Sequence, residues 1–191
     1  GLLEEKGDEI FANADSVIVE VDMDKDIIKK VVALAKQYNK KLYGVVSNMS
    51  IAVERRDFLK HFDCFICNQL EAGMLFMEDY ADKSPEELRD ILSKRVILGK
   101  IPAMIVTMGG NGAVYADVNG EKGICPPQRV RVKDTTGAGD AFCAGVASGL
   151  TYGKTLSEAV EIGSRLAASV ITSSENVCPR FLPEEFGITL D

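Results

Sequence analysis

The chain has 191 residues, a net charge of −7 and 46% hydrophobic residues, a composition typical of an ordinary globular protein with one sizeable core. The 29 acidic residues outnumber the 22 basic ones and no dense run of Lys and Arg occurs, so we expect no nucleic-acid polymer as a partner. No apolar stretch is long enough to cross a bilayer, the N-terminus lacks a secretory pattern, and the five cysteines are scattered, so we expect no membrane association and a cytoplasmic location.

Short β-branched runs alternate with helical patterns in the first half of the chain, and this alternation predicts βαβ units and a largely parallel sheet. Strands are predicted from Ser16 to Glu20, from Leu42 to Val46 and from Cys64 to Cys67. Helices are predicted to end near Tyr38, to run from Glu54 to His61, and to begin at Asn68 and at the Ser84-Pro85-x-Glu87 start.

The pattern changes after Ala103, where a strand from Met104 to Val106 is followed by glycines and by an alternating run that predicts another strand. Asn119-Gly120 predicts a hairpin turn, and residues 126–133 predict an extended connection or an edge strand. Two helices follow, one near Gly139 that is rich in Ala and Gly and one at Thr155. No repeat or linker interrupts the chain, so we predict one α/β domain over residues 1–191.

The segment from Asp134 to Asp140 reads DTTGAGD and leads directly into a helical pattern. A turn formed by Gly137, Ala138 and Gly139 lets several backbone N–H groups point into one concave site at a helix N-terminus, where the helix dipole favours an anion. Asp140 is placed to accept the proton of an attacking hydroxyl group while these N–H groups hold a phosphoryl group. The alternative is a glycine turn that Asp140 caps without any chemistry.

Two further motifs each have two interpretations. Glu71 follows an apolar strand and either organises a hydrated Mg²⁺ ion or completes a capping box with Asn68. The segment TMGGNG at residues 107–112 is either a glycine turn between strands or a loop shaped for the close approach of a nucleotide. It is not a Walker loop, because no Gly-Lys-Ser/Thr follows, and it is not a dinucleotide fingerprint, because a hairpin follows.

The run DTTGAGDAF resembles the second signature of the ribokinase-like, or PfkB, carbohydrate and nucleoside kinases, and NQLE and TMGGNG stand in the order expected for the C-terminal part of that family. The resemblance implies a ribokinase-like α/β fold with a mostly parallel sheet, flanking helices and a β-hairpin extension. It also implies ATP-dependent phosphorylation of a hydroxyl group on a sugar, sugar phosphate or nucleoside.

The same resemblance implies roles for individual residues. Asp140 would be the general base, the turn from Gly137 to Gly139 the anion hole, and Glu71 a ligand of Mg²⁺ through water. The other implied positions are nucleotide contacts at Asn68, Thr107, Gly109, Gly112, Ser164 and Asn176, and a monovalent-cation (K⁺) site at Asp134 and Thr136. Residues 173–177 depart from the small residues common in the family's adenine loop, so the adenine contacts are the least transferable.

The N-terminal half of the resembling fold, which supplies the substrate contacts and the lid, has no counterpart in this sequence. We therefore expect the chain to begin within the fold and to turn over slowly, and a nucleotide-binding regulatory or truncated module without turnover stays the alternative. The first predicted strand, at Ser16, would form an unpaired edge of the sheet. Such an edge can pair with a second copy of the chain, so a homo-oligomer is one expectation.

Cys64 and Cys67 have the spacing of a metal or redox pair, but they lie in an apolar run with no second pair, so we expect buried strand cysteines. His61, the only histidine, ends a predicted helix, where a positive charge would be favourable. We expect no catalytic role for it.

Overall fold

The structure is a computed structural model and describes residues 1–173 and 181–189. Six strands form one sheet in chain order: β1 Ser16–Glu20, β2 Lys41–Val45, β3 Cys64–Asn68, β4 Ala103–Thr107, β5 Ala113–Asp117 and β6 Lys122–Cys125. The first four strands are parallel, and β5 and β6 add an antiparallel hairpin next to β4. The predicted mostly parallel sheet with a hairpin extension is confirmed.

Helices cover both faces of this sheet. They are α1 Leu2–Asn13, α2 Lys25–Gln37, α3 Met49–Ala52, α4 Gln69–Phe76, α5 Pro85–Gly99, α6 Ala138–Thr151 and α7 Leu156–Thr172. The first five helices pack in the larger core on one face, and α6 and α7 pack on the other. No helix in the described part of the chain is long and apolar enough to span a membrane.

Side-chain alternation along the strands explains the three layers. In β3, Phe65 and Cys67 belong to the core under the first five helices, while Cys64 and Ile66 belong to the core under α6 and α7. All four are buried, which is typical of a parallel strand covered on both faces.

The helix starts predicted from capping patterns are confirmed. The Ser84 hydroxyl group accepts from the Glu87 N–H at 3.2 Å, and Glu87 Oε2 accepts from the Ser84 N–H at 2.9 Å. Thr155 and Glu158 form the same reciprocal pair at the start of α7. Each box satisfies backbone donors that a helix N-terminus leaves unpaired.

Glycines allow α6 and α7 to approach closely, as their composition predicts. A Cβ atom at Gly145 would lie 2.7 Å from the Gly163 Cα atom, and one at Gly163 would lie 2.7 Å from the Phe142 carbonyl oxygen. This contact fixes α6, whose N-terminus carries the signature turn, against α7.

Several local predictions were wrong. Residues 53–61 form a 3-10 helix, β2 begins and ends one residue earlier than expected, and α1 was not predicted. α1 buries only Gly7 and Phe11 and depends on tertiary contacts, such as the Tyr38 hydroxyl group donating to Asp8 at 2.8 Å. Of the two structures predicted for residues 126–133, the segment forms the connection and no edge strand, because the prolines cannot donate and the Lys133 N–H donates to the Ile171 carbonyl oxygen on α7.

Candidate active site

Asn68 and Thr107, two of the residues singled out from the sequence, lie at the carboxyl ends of parallel strands and line one cavity with the N-terminus of α6. Glu20 ends β1, Asn68 ends β3 and Thr107 ends β4. Crevices at this edge of open α/β sheets are the usual ligand positions. The order of the sheet therefore gathers residues that are far apart in the chain.

Gly137 gives the signature turn a left-handed conformation just before α6. Gly137 is the N-cap of α6 with a φ angle of 80°, a left-handed conformation that favours glycine. Asp134 Oδ1 accepts from the backbone N–H of Thr136 at 2.9 Å and from its hydroxyl group at 2.8 Å. The bond from the Thr136 N–H contributes most, and the bond from its hydroxyl group next, to a pKa of Asp134 below its ordinary value. The same two bonds hold the turn in shape.

Two cavities adjoin at this turn. One has a volume of about 340 Å³ and the other about 370 Å³, and Thr107, Gly139 and Phe142 line both. A Cβ atom at Gly139 would have no atom within 4 Å, so the backbone there faces open space at the junction. A ligand can therefore approach the backbone of the turn closely.

The smaller cavity has mostly apolar walls and suits a flat nucleoside. Thr107, Gly109, Gly112 and Ser164 line it, as the resemblance implies. Further walls come from the 126–133 connection and α7, through Pro127, Val130, Val132, Ala167, Ala168 and Ile171. Asn68, another implied contact, lines the larger cavity instead, and Asn176 lies outside the described residues.

Gly112 shapes the loop at the mouth of the smaller cavity. Its φ angle is 86°, and a Cβ atom there would lie 2.1 Å from the Cys125 carbonyl oxygen. Only glycine fits this conformation and this contact. The loop is therefore a turn between strands and also a cavity wall. The two interpretations of residues 107–112 do not exclude each other.

The larger cavity contains the candidate base and metal ligand. Asp140, in the first turn of α6, and Glu71, in the first turn of α4, both line it. Glu71 also forms the capping box, because its Oε2 accepts from the Asn68 N–H at 2.7 Å. The structure therefore contains the capping box, and the same residue also lines the cavity.

These residues fit a hydrated Mg²⁺ ion. No group of three or more His, Cys, Asp and Glu side chains within residues 1–173 and 181–189 could hold a metal by itself. Mg²⁺ usually keeps several waters and takes one or two carboxylates, so a single Glu71 next to a phosphate position meets its needs. Asp134 and Thr136 lie together in the turn, but Asp134 Oδ1 already accepts two hydrogen bonds there.

Cys64 and Cys67 are buried, as predicted for the strand pair, and Cys143 of α6 is half-buried. Cys67 and Cys143 line the larger cavity, and burial raises the pKa of Cys67 well above its ordinary value and that of Cys143 to about 12. Both thiols thus stay protonated near neutral pH and are poor nucleophiles. The expectation of a favourable positive charge at His61 is wrong. Burial, and then the positive charge of Lys36, lower the pKa of His61 and so disfavour its charged form.

Sequence reasoning missed several residues of the site. Phe142 separates the cavities, and Glu20 and Ser47 line the larger one. Glu20 was detectable, because it ends a correctly predicted strand at the edge where ligands bind. Val130 and Val132 stand two residues apart, a spacing that indicates that both side chains lie on the same side of the 126–133 connection. The spacing does not indicate which part of the protein that side contacts.

Comparisons with known proteins found relatives in sequence and in structure. A protein-family model described as pfkB family carbohydrate kinase matches residues 3–179. Guanosine-inosine kinase from Exiguobacterium acetylicum is 34% identical over 165 residues, which are 85% of this chain and 53% of that protein. Ribokinase from Schizosaccharomyces pombe is 27% identical over 115 residues, which are 60% of this chain and 36% of that protein.

Solved structures share the fold. A probable sugar kinase from Rhizobium etli superposes with a TM-score of 0.77 and 25% identity, over 97% of this chain and 58% of that one. Arabidopsis thaliana ribokinase complexed with ribose and ATP gives a TM-score of 0.75 and 21% identity, over 90% of this chain and 54% of that one. The chain spans 53% and 36% of these two curated relatives and 58% of the Rhizobium etli protein.

Proposed function

Since the chain belongs to the pfkB family of carbohydrate kinases, we propose that it binds ATP with Mg²⁺ and takes part in transfer of the terminal phosphoryl group to a hydroxyl group of a small sugar or nucleoside. The names of its relatives, guanosine-inosine kinase and ribokinase among them, support this substrate range.

One observation carries the proposal: the two cavities meet at Gly139, beside Asp140. In-line phosphoryl transfer needs a nucleotide on one side of an anion hole and an acceptor hydroxyl group on the other. The apolar cavity suits the nucleoside, and the cavity with Asp140 suits the acceptor. A turn that served only as a helix cap would require neither cavity.

The turn and Asp140 divide the chemical work between them. The N–H groups from Gly137 to Gly139 stabilise the negative charge that spreads over the transferred phosphoryl oxygens. Asp140 is exposed to the cavity and accepts the proton of the acceptor hydroxyl group as its oxygen attacks. Both groups belong to the start of α6, so the close packing of α6 against α7 holds them in register.

Glu71 is proposed to hold the metal through water, and Asn68 orients it. Bound Mg²⁺ would neutralise charge on the phosphate oxygens. The Asn68 side chain accepts from the Glu71 N–H at 2.9 Å, which fixes the first turn of α4 and with it the carboxylate. Asp134 and Thr136 remain the proposed monovalent-cation residues.

The experiment compares Asp140→Asn with the unaltered chain in MgATP binding and in ADP release with a panel of sugars and nucleosides. Asparagine keeps the size and capping ability of aspartate but removes the proton acceptor, so binding should stay near normal while turnover falls by about 10²-fold or more. Glu9→Gln, on α1 and lining neither cavity, is the matched control.

Near-normal turnover in Asp140→Asn would contradict its role as the base. Tight MgATP binding without turnover on any acceptor would favour a nucleotide-binding module instead. No nucleotide binding at all would contradict the kinase proposal itself.

A further inference from the structure

The C-terminal segment, residues 181–188, packs against α7. Its side chain Ile188 is 2% exposed and forms a small apolar cluster with Ile162 and Leu166 of α7. A 3-10 helix at Pro183–Phe186 precedes Ile188, and the Ile188 N–H donates to the Pro183 carbonyl oxygen at 3.0 Å. Ile188 therefore anchors a locally folded segment on α7.

An aromatic contact holds the C-terminal segment beside this anchor. The Arg165 guanidinium group of α7 lies over the Phe186 ring, 4.4 Å from its centroid, and the Phe181 ring stacks with the Phe186 ring at a centroid distance of 5.2 Å. A guanidinium group over an aromatic face is attracted to it. The segment is thus bound to α7 through a buried apolar contact and a contact at the surface.

The helix α7 uses opposite faces for the C-terminal segment and for the smaller cavity. With about 3.6 residues per turn, Ile162, Arg165 and Leu166 share one face. The residues of α7 that line the cavity lie on the opposite face: Ser164, Ala167, Ala168 and Ile171. A helix face toward a cavity of about 340 Å³ lacks the packed atoms that position a helix in a closed core. The position of this cavity wall therefore depends on contacts made by the other faces of α7.

The same apolar cluster reaches the start of α6. Ala141, the residue after Asp140, packs against the cluster of Ile162, Leu166 and Ile188. A Cβ atom at Gly145 of α6 would lie 2.7 Å from the Leu166 Cδ1 atom, so Leu166 also contacts α6 closely. The Ile188 anchor therefore supports the cavity wall of α7 and also the first turn of α6.

We infer that Ile188 is a positioning residue for nucleotide binding: by docking the C-terminal segment, it holds α7 and the first turn of α6 in the arrangement that binds the nucleotide. The inference rests on the proposed function and adds to it a residue that lines neither cavity. Docking of the segment and binding of the nucleotide are then linked, and such linkage is reciprocal. The nucleotide strengthens docking by the same factor by which docking strengthens nucleotide binding.

The first test measures binding of a non-hydrolysable ATP analogue with Mg²⁺ by calorimetry. Ile188→Ala should weaken this binding about fivefold or more, and Ile188→Val, which keeps most of the apolar contact, should restore most of it. Leu92→Ala is the matched control, because Leu92 is 1% exposed in the other core and lines neither cavity. Both alanine variants should lower the Tm, but the folded Leu92→Ala variant should keep its nucleotide affinity.

The second test uses the unaltered chain and needs no variant to fold. Hydrogen exchange of the backbone amides of residues 183–188 is measured by mass spectrometry with and without the same analogue and Mg²⁺. Bound nucleotide should slow this exchange about fivefold or more, although these residues line neither cavity. The amides of α1, which also lines neither cavity and does not contact the cluster, should exchange at an unchanged rate.

Unchanged nucleotide affinity in a folded Ile188→Ala variant would overturn the inference, because the contact would then be structural only. Exchange of residues 183–188 that bound nucleotide does not slow would overturn it too. Failure of the proposed function is distinguishable, because the analogue would then not bind the unaltered chain, whereas failure of the inference alone leaves that binding normal.

Discussion

Gly139→Ala separates an anion hole from a helix cap, because both interpretations predict greater stability but only the anion hole predicts weaker nucleotide binding or slower turnover. Gly139 is the second residue of α6, and its φ angle is not among the positive ones. An added Cβ atom has no atom within 4 Å, so alanine fits the folded chain without strain.

The magnitudes follow from that geometry. Alanine in place of a helical glycine stabilises by about 0.5–1 kcal/mol, which corresponds to an increase in Tm of about 1–4 °C for a chain of this size. The methyl group, however, enters the space where phosphate oxygens would contact the backbone N–H groups. We expect MgATP affinity or turnover to fall by about 10²-fold, equivalent to about 2.7 kcal/mol.

The assay is calorimetric MgATP binding with ADP release, run beside thermal unfolding. Gly145→Ala in the same helix is the matched control, because its Cβ atom would lie 2.7 Å from both the Gly163 Cα atom and the Leu166 Cδ1 atom. That variant should lose about 1–3 kcal/mol of stability and keep nucleotide affinity wherever it stays folded.

A Gly139→Ala variant with unchanged affinity and turnover would refute the anion-hole reasoning and leave the turn as a cap. A fall in Tm would contradict the inference that a methyl group fits at Gly139. Only a variant that is more stable and binds the nucleotide more weakly agrees with both the open space and the anion hole.

Three further changes test neighbouring features. Glu71→Gln should raise the Mg²⁺ concentration for half-maximal rate severalfold, and a loss of about 1 kcal/mol of stability without that shift would mean that Glu71 only caps α4. Gly112→Ala combines a φ angle of 86° with a Cβ atom 2.1 Å from the Cys125 carbonyl oxygen, so urea unfolding should show a loss of about 2–4 kcal/mol. The lowered pKa of Asp134 means that its contribution to stability is present above its ordinary value and is lost as the pH falls through the lowered value. Thr136→Ala removes one donor, so carbon NMR titration should find the Asp134 pKa closer to its ordinary value.

Local signals predicted most elements because they depend on contacts within a few residues. The Ser84 and Thr155 capping boxes, the Asn119-Gly120 hairpin turn and the helix that starts at the glycine turn all occupy the expected positions. Residues 53–61 were predicted as a helix and form a 3-10 helix. The two helix types differ in their backbone hydrogen bonds, and the spacing of apolar residues does not distinguish them well over so short a segment.

The elements that sequence reasoning missed depend on distant contacts. α1 has weak amphipathicity, and Gly7 packs against Leu34 of α2, with its Cβ position 2.9 Å from the Leu34 Cδ1 atom. The 126–133 connection becomes a cavity wall through its bond to Ile171 on α7. Neither contact leaves a local pattern.

The sequence by itself determined the strand and helix order, the signature turn and the identity of Asp140 and Glu71 as candidate groups, since each is encoded in a short run of residues. Only the tertiary structure decided that Glu20, Glu71 and Asp140 share one cavity and that Gly139 joins it to a second, apolar one. The physical reason is that these neighbours are set by the sheet order and by the glycine contacts that seat α6 on α7, which join residues far apart in the chain.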